Sequence, residues 1–272
     1  MATFIQKFNS LHQFADYCNN TPISALFTGK SLHSETGSEY FTGTPDFPTA
    51  NRLLKEGDPA TAAKVKREYT NIIARTKVQR PRPTPAVVGH TPIVGAFLAS
   101  DPVCMLAKKN RPTKARIVTI VYNTSVSCDI DANDMAKAGA NLLAAINQIE
   151  ANGVRVNLYA GDISETENRR RDEHLIVMVK IKTDCQPLNL MQIAYPIANP
   201  SFLRRHILKA TEIQTGLKND RWTTGYGRPV HGYSAKRLLD QTGINYNAYL
   251  DFRDTNNSTP ADIVKKILEN VK

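Results

Sequence analysis

Between Ile117 and Gly161 the pattern of apolar and polar positions defines a unit of secondary structure. Ile117-Val-Thr-Ile-Val121 is a β-branched run with apolar residues on both alternating faces, which predicts a strand buried from both sides, as in a parallel sheet. Asp131 stands where a helix N-cap belongs, with Asp134 three residues on in the capping-box place, and Asn152-Gly153 is a stop signal. The interval predicts a helix of about six turns. Along it Met135, Ala138, Leu142, Ala145 and Ile149 recur at three- and four-residue spacing, an apolar face that packs back on a sheet. Val154-Arg-Val-Asn-Leu-Tyr159 then reads as a second strand, parallel to the first by the right-handed crossover rule.

Downstream, His174 to Ile181 predicts a third strand. The charged connection that leads to it, with Arg169, Arg170 and Arg171, has no helical pattern, which points to an antiparallel edge partner. A helix from Asn189 is interrupted by Pro196 and Pro200 and resumes from Ser201 to Leu208. Tyr246 to Phe252 reads as a further strand. Thr259-Pro260-Ala-Asp262 opens a last helix with Ile263, Val264, Ile267, Leu268 and Val271 on one face. The fold class expected for residues 113–272 is therefore α/β, a three-layer and mainly parallel sheet. Upstream, Phe4 to Cys18 offers an amphipathic helix capped by Ser10. Pro48 to Gly57 and Pro59 to Ala74 are two proline-opened helices, and Thr91-Pro92 opens another that carries Ile93, Val94, Phe97 and Leu98. Residues 1–112 are thus expected to form a mostly helical, basic region docked on the sheet domain, with residues 81–85 as the hinge.

Composition narrows the class. A chain of 272 residues with 41% hydrophobic content suits one large domain or one domain with an appendage. No segment approaches the roughly 18 apolar residues of a membrane span, and MATFIQKFNS lacks the apolar core of a signal peptide, so a cytoplasmic protein with no membrane partner is expected. Cys18, Cys104, Cys128 and Cys185 are too scattered for a zinc set and read as reduced, buried thiols. Charge is uneven. Residues 52–116 carry fourteen basic and four acidic side chains, so the whole net charge of +10 sits in that quarter of the chain. Lys64, Lys66, Arg67, Arg75, Lys77, Lys108, Lys109 and Arg111 form a candidate polyanion-binding belt, to which Arg204 and Arg205 on the later helix could add an anion contact. No aromatic residues interleave with these cations as base stacking would need, and a solvated face explains the same residues.

In an open parallel sheet, ligands bind beyond the carboxyl ends of the strands. After Tyr122 the alternating Asn123, Ser125 and Ser127 can converge on one point, and Asp251 at the end of a later strand can supply a carboxylate. The bland alternative is a turn whose side chains satisfy loop N–H groups. Other motifs fail: Gly29-Lys30-Ser31 has Ser24 where a P-loop needs its first glycine, and Asp129, Asp131 and Asn133 are followed by Asp134 and Ala140 where a calcium loop needs Gly and Glu. No histidine pair has zinc-site spacing and there is no Gly-x-Ser-x-Gly elbow.

The order of strand, Asn123-Thr-Ser125-Val-Ser127, long helix, strand and antiparallel strand resembles the von Willebrand factor type A domain, a Rossmann-like fold. That resemblance implies a divalent cation, Mg²⁺, held by Asn123, Ser125, Ser127 and Asp251 for gripping an acidic partner. Asn123 stands where the family has Asp, which removes a charge from the site. Val87 to Met105, Gly153 to Ala160, Pro200 to Arg205 and Gly225 to Pro229 are similar in order to a family of tailed-phage and prophage proteins of unassigned function. This likeness implies a phage-encoded protein acting in the bacterial host cytoplasm or in the virion. The expected function is non-enzymatic binding or assembly with a phage or host protein, or with nucleic acid. The alternative is a divalent-metal-dependent phosphoesterase or nuclease with Arg155 or Arg204 on its substrate. Binding is preferred because one acid alone reaches the strand ends.

Overall fold

The structure, a computed structural model, describes residues 2–32, 38–75, 83–107, 116–127, 129–166 and 173–269. The chain begins with a strand, β1 (Ala2–Phe8), followed by helix α1 (Leu11–Asn20), which Ser10 caps by accepting from the Gln13 N–H. Next come α2 (Ser38–Thr42), α3 (Phe47–Glu56) and α4 (Pro59–Arg75). Asp46 caps α3, and Gly57, at φ 97°, ends it. Three short strands, β2 (Thr84–Ala86), β3 (Thr91–Pro92) and β4 (Met105–Ala107), form a separate antiparallel sheet that encloses helix α5 (Val94–Leu98) in sequence.

The central βαβ unit is as expected: β5 (Ile117–Asn123), α6 (Ala132–Ala151) and β6 (Arg155–Thr166). Asp131 accepts from the N–H groups of Asn133 and Asp134, and Gly153 leaves the helix at φ 83°. Strand β7 (Glu173–Lys182) returns antiparallel along β6. Helix α7 (Leu190–Ala198) holds Pro196 inside it, a π-helical turn (Phe202–Ile207) follows, and α8 (Leu208–Ile213) continues from that. The last elements are α9 (Arg221–Gly225), β8 (Arg228–Pro229), α10 (Gly232–Leu239), β9 (Ala248–Asp251), α11 (Phe252–Asn256) and α12 (Pro260–Glu269).

The fold is mixed α/β with a mainly parallel six-stranded central sheet. Its order is β1-β7-β6-β5-β9, with β8 attached to β6 beyond the end of β5. One face carries Val118, Ile120, Val156, Leu158 and Val177 against α6 and the helices around it; the other carries Val121, Ile163, Ile176 and Met178 against Leu238 and Leu239 of α10. This makes three layers. Helix α6 is buried well beyond the predicted stripe, because α4, α7, α11 and α12 all pack on it.

Several expectations need correction. Residues 2–8 are a strand, pairing parallel with β7 from Ala2 opposite Glu173 to Phe8 opposite Val179, so a boundary at residue 112 does not separate a helical region from the sheet. The long-range pairing overrides the local helical pattern. It also places β7 inside the sheet rather than at its edge. Thr91-Pro92 is a strand, and the helix after it starts only at Val94. Strand β6 runs on to Thr166 past Gly161, where an added Cβ would lie 1.9 Å from the Val177 carbonyl oxygen, so only glycine admits β7 there. Cys18 is buried, but Cys104 is half-buried and Cys185 exposed.

Candidate functional site

Strand β5 leaves the sheet at Asn123, while β6 continues and takes β8 as its new neighbour, Ser164 opposite Pro229 and Glu165 opposite Arg228. The sheet therefore splits at Gly161, and polar side chains close the gap. Thr124 donates to the Gly161 carbonyl from both its N–H, 2.8 Å, and its hydroxyl, 2.9 Å. Asn123 is fully buried: its Nδ2 donates to the Val230 carbonyl and to the Tyr249 hydroxyl, each at 3.0 Å. Its Oδ1 accepts from the Ser125 N–H, 3.0 Å, and the Ser125 hydroxyl, 2.6 Å. The same hydroxyl lies against the Asp162 carboxylate. Burial pushes the Asp162 carboxyl up from its usual range, against the opposing pull of Ser125, Ser164 and His231.

On the other side of β5, Asp251 caps α11 in a reciprocal box with Asp254, two bonds of 3.1 Å, and its Oδ2 lies 3.5 Å from Nδ1 of His231. Burial alone would raise the Asp251 carboxyl; His231 and the N–H groups of Asp254 and Arg253 outweigh it and hold the carboxyl below its usual range. The predicted cation ligands are thus only partly united. Asn123 and Ser125 bind each other, Asp251 is opposite Asn123 in the strand register but serves α11, and Ser127 stays exposed, bonded to Asp129 at 3.3 Å. Both lone pairs of Asn123 Oδ1 are already occupied. The residues present do not fit a Mg²⁺ ion, and among the described residues no group of three or more His, Cys, Asp or Glu side chains could hold a metal.

The predicted polyanion belt divides in the same way. Arg204 and Arg205 are buried, not a solvated face. Arg205 donates to the Thr44 hydroxyl, 2.9 Å, the Thr44 carbonyl, 2.8 Å, the Ser31 carbonyl and the Thr42 hydroxyl, each 3.2 Å. Arg204 donates to the carbonyls of Phe41, 2.5 Å, and Ile130, 3.1 Å, and stacks 4.1 Å from the Phe41 ring. Their neighbour His206 sits among the rings of Phe14, Phe47 and Tyr195, with Nδ1 3.1 Å from the Tyr195 hydroxyl; burial pushes its pKa down to about 3. Lys64, Lys66 and Arg67 are exposed on α4. Arg75 is the last residue of that helix, whereas Lys77, Lys108, Lys109 and Arg111 lie outside the described residues.

The arm formed by residues 83–107 is the opposite of the sheet gap. None of these residues is buried. Val94, Phe97 and Leu98 share one face of α5 at 64, 64 and 77% exposure, and Val87 and Val88, in the turn between β2 and β3, are 64 and 80% exposed.

A family model described as a domain of unknown function matches residues 2–272. The chain belongs to this family, DUF7192. No curated protein and no solved structure matches it. Among the described residues of this DUF7192 chain, no helix is long and apolar enough to cross a membrane. Sequence reasoning missed Asp162 and His231. The alternation of Asp162, Ser164 and Thr166 beyond Gly161 carries a strand signal, but the glycine reads as a strand end, and His231 joins the gap only through the pairing of β8 with β6.

Proposed function

We propose that this protein is a non-enzymatic binding and assembly factor, phage-encoded, that engages a protein partner through the arm of residues 83–107. The observation that carries this reading is the apolar face of α5. A segment that buries none of its own residues nevertheless presents three large apolar side chains at helical spacing, with two more valines nearby. Solvent-facing clusters of this kind mark contact surfaces. The carboxyl end of β5 supports the non-enzymatic side of the reading, since the side-chain atoms of Asn123 are bonded to Ser125, Val230 and Tyr249 and so are taken up within the fold. We also read the sheet as von Willebrand A-like, because β5, α6, parallel β6 and antiparallel β7 succeed one another in the order that likeness implies.

The test is a photo-crosslinking amino acid placed at position 97 of the full chain in cells that express it. A protein adduct on the arm is expected. Adducts formed only with nucleic acid, or a purified chain that cleaves phosphodiesters with Mg²⁺, would overturn the reading. A second reading, polyanion binding along α4, is favoured by the exposure of Lys64, Lys66 and Arg67 on one helix. It predicts that Lys64→Glu with Arg67→Glu shortens retention on heparin while leaving the melting temperature nearly unchanged; retention equal to that of the unaltered chain would remove it.

A further inference from the structure

A cavity of about 470 Å³ opens where α4 and α6 begin and α7 ends, a volume within the roughly 300–1,000 Å³ of small-molecule sites. Part of its wall comes from the chain between Glu39 and Gly43. Gly43, at φ 80°, packs its backbone against Asn199, and an added Cβ there would lie 2.7 Å from Asn199 Oδ1. The two buried arginines hold the same stretch in place. Arg204 donates to the Phe41 carbonyl and stacks on the Phe41 ring, while Arg205 donates to Thr42 and Thr44. Two buried cations are thus committed to a segment whose Glu39 and Tyr40 line the cavity.

The charged groups of the lining divide into used and unused. Asp58 is used: Oδ1 accepts from the Thr61 N–H at the start of α4, 2.9 Å, and Oδ2 accepts from the Asn199 amide, 2.7 Å. Glu39 and Lys64 are exposed, and neither forms an ion pair with the other or with any other described residue. One anion and one cation without partners among the described residues therefore line the same hollow. The apolar part of the lining is small: the methyl groups of Ala132, Ala136 and Ala198 lie at the meeting of α6 and α7.

We infer that this cavity binds a small zwitterion with an apolar body, an amino acid or a short peptide. Lys64 takes its carboxylate, Glu39 takes its ammonium, and the alanine methyl groups take the apolar body. The site is separate from the arm, so the inference goes beyond the binding role proposed there. The pair of unused charges selects the class. A purely anionic ligand sets its charge against Glu39, a purely cationic one sets its charge against Lys64, and only a ligand carrying both signs satisfies the two together. Because both side chains are exposed, each charge contact is worth about fivefold in affinity at most.

Titration calorimetry of the full chain tests this with two zwitterions, phenylalanine and the dipeptide Leu-Leu, and two analogues that each lack one charge, 3-phenylpropanoate and phenethylamine. Saturable binding of either zwitterion is expected, the tighter of the two naming the source, with each analogue weaker by about fivefold. Lys64→Gln should weaken phenylalanine to the level of phenethylamine, and Glu39→Gln should weaken it to the level of 3-phenylpropanoate. Both substitutions fall on exposed side chains, so the melting temperature without ligand should not move. Three results would each overturn the inference: no saturable binding of either zwitterion up to about 10 mM, an analogue that binds as tightly as phenylalanine, or binding that neither variant weakens.

Discussion

Asn123 and Phe97 stand in opposite situations. Asn123 is a polar side chain held at the centre of the molecule with four hydrogen bonds to protein groups; Phe97 is an aromatic side chain held in water on a five-residue helix. Burying a polar group costs little once its donors and acceptors are matched, because the penalty attaches to the unpaired atom. Leaving a large apolar side chain exposed forgoes about 1.5–3 kcal/mol of burial that folding could have realised. The sheet gap is therefore a place where the fold is completed, and the arm is a place where it is left incomplete.

The contrast can be broken from either side. The largest effect belongs to a buried cation: Arg205→Met removes four hydrogen bonds to Ser31, Thr42 and Thr44, of whose oxygens only the two on Thr44 keep a further donor, and should cost about 3 kcal/mol. A urea titration reads this as a lower midpoint at unchanged slope, and a loss below about 1 kcal/mol would show that this guanidinium does not hold residues 31–44 in place. Next is Asn123→Asp, which removes the donors to Val230 and Tyr249 and adds a carboxylate beside Asp162. It should cost about 2 kcal/mol at pH 7 and less at pH 5, where the added acid can protonate. Measured with and without Mg²⁺, a midpoint that rises with the ion would show that the gap can open into a cation site.

A third measurement concerns His206. Its folded pKa, about 3, lies below the ordinary value of 6.5, so between these limits the unfolded chain takes up a proton that the folded chain does not. Stability should be present above about pH 6.5 and be lost as pH falls toward 3, by up to about 1.4 kcal/mol per pH unit. His206→Gln should flatten that slope, and an unchanged slope would assign the acid sensitivity to other groups. The smallest effect on stability is expected at the arm, where Phe97→Asp with Leu98→Asp should move the unfolding free energy by less than about 0.5 kcal/mol. A larger loss would mean that α5 belongs to the core after all.

Local signals explain what the sequence disclosed. The β-branched run of β5, the Asp131 cap and Asn152-Gly153 stop of α6, and the Thr259-Asp262 box that opens α12 are all written within a few residues of the element they define. β1 is not, because Ala2 to Phe8 becomes a strand only by pairing with a segment more than 160 residues away. The site shows the same divide. Asn123 and Ser125 were found by proximity, whereas Asp162 and His231 meet them through the divergence of β5 from β6 and the arrival of β8. Arg204 and Arg205 misled for a related reason: nothing near residue 205 announces that Thr42 and Thr44, some 160 positions earlier, will receive its hydrogen bonds.

The pairing of β2 with β4 sets Thr84 directly opposite Ala107, so the arm leaves and rejoins the chain at one place. A segment whose two ends meet is exchangeable. It can be cut out and the ends closed with a short turn without rerouting any strand of the central sheet. On the binding role proposed for it, the arm is the part of this protein that can change its partner while the rest of the chain keeps its fold.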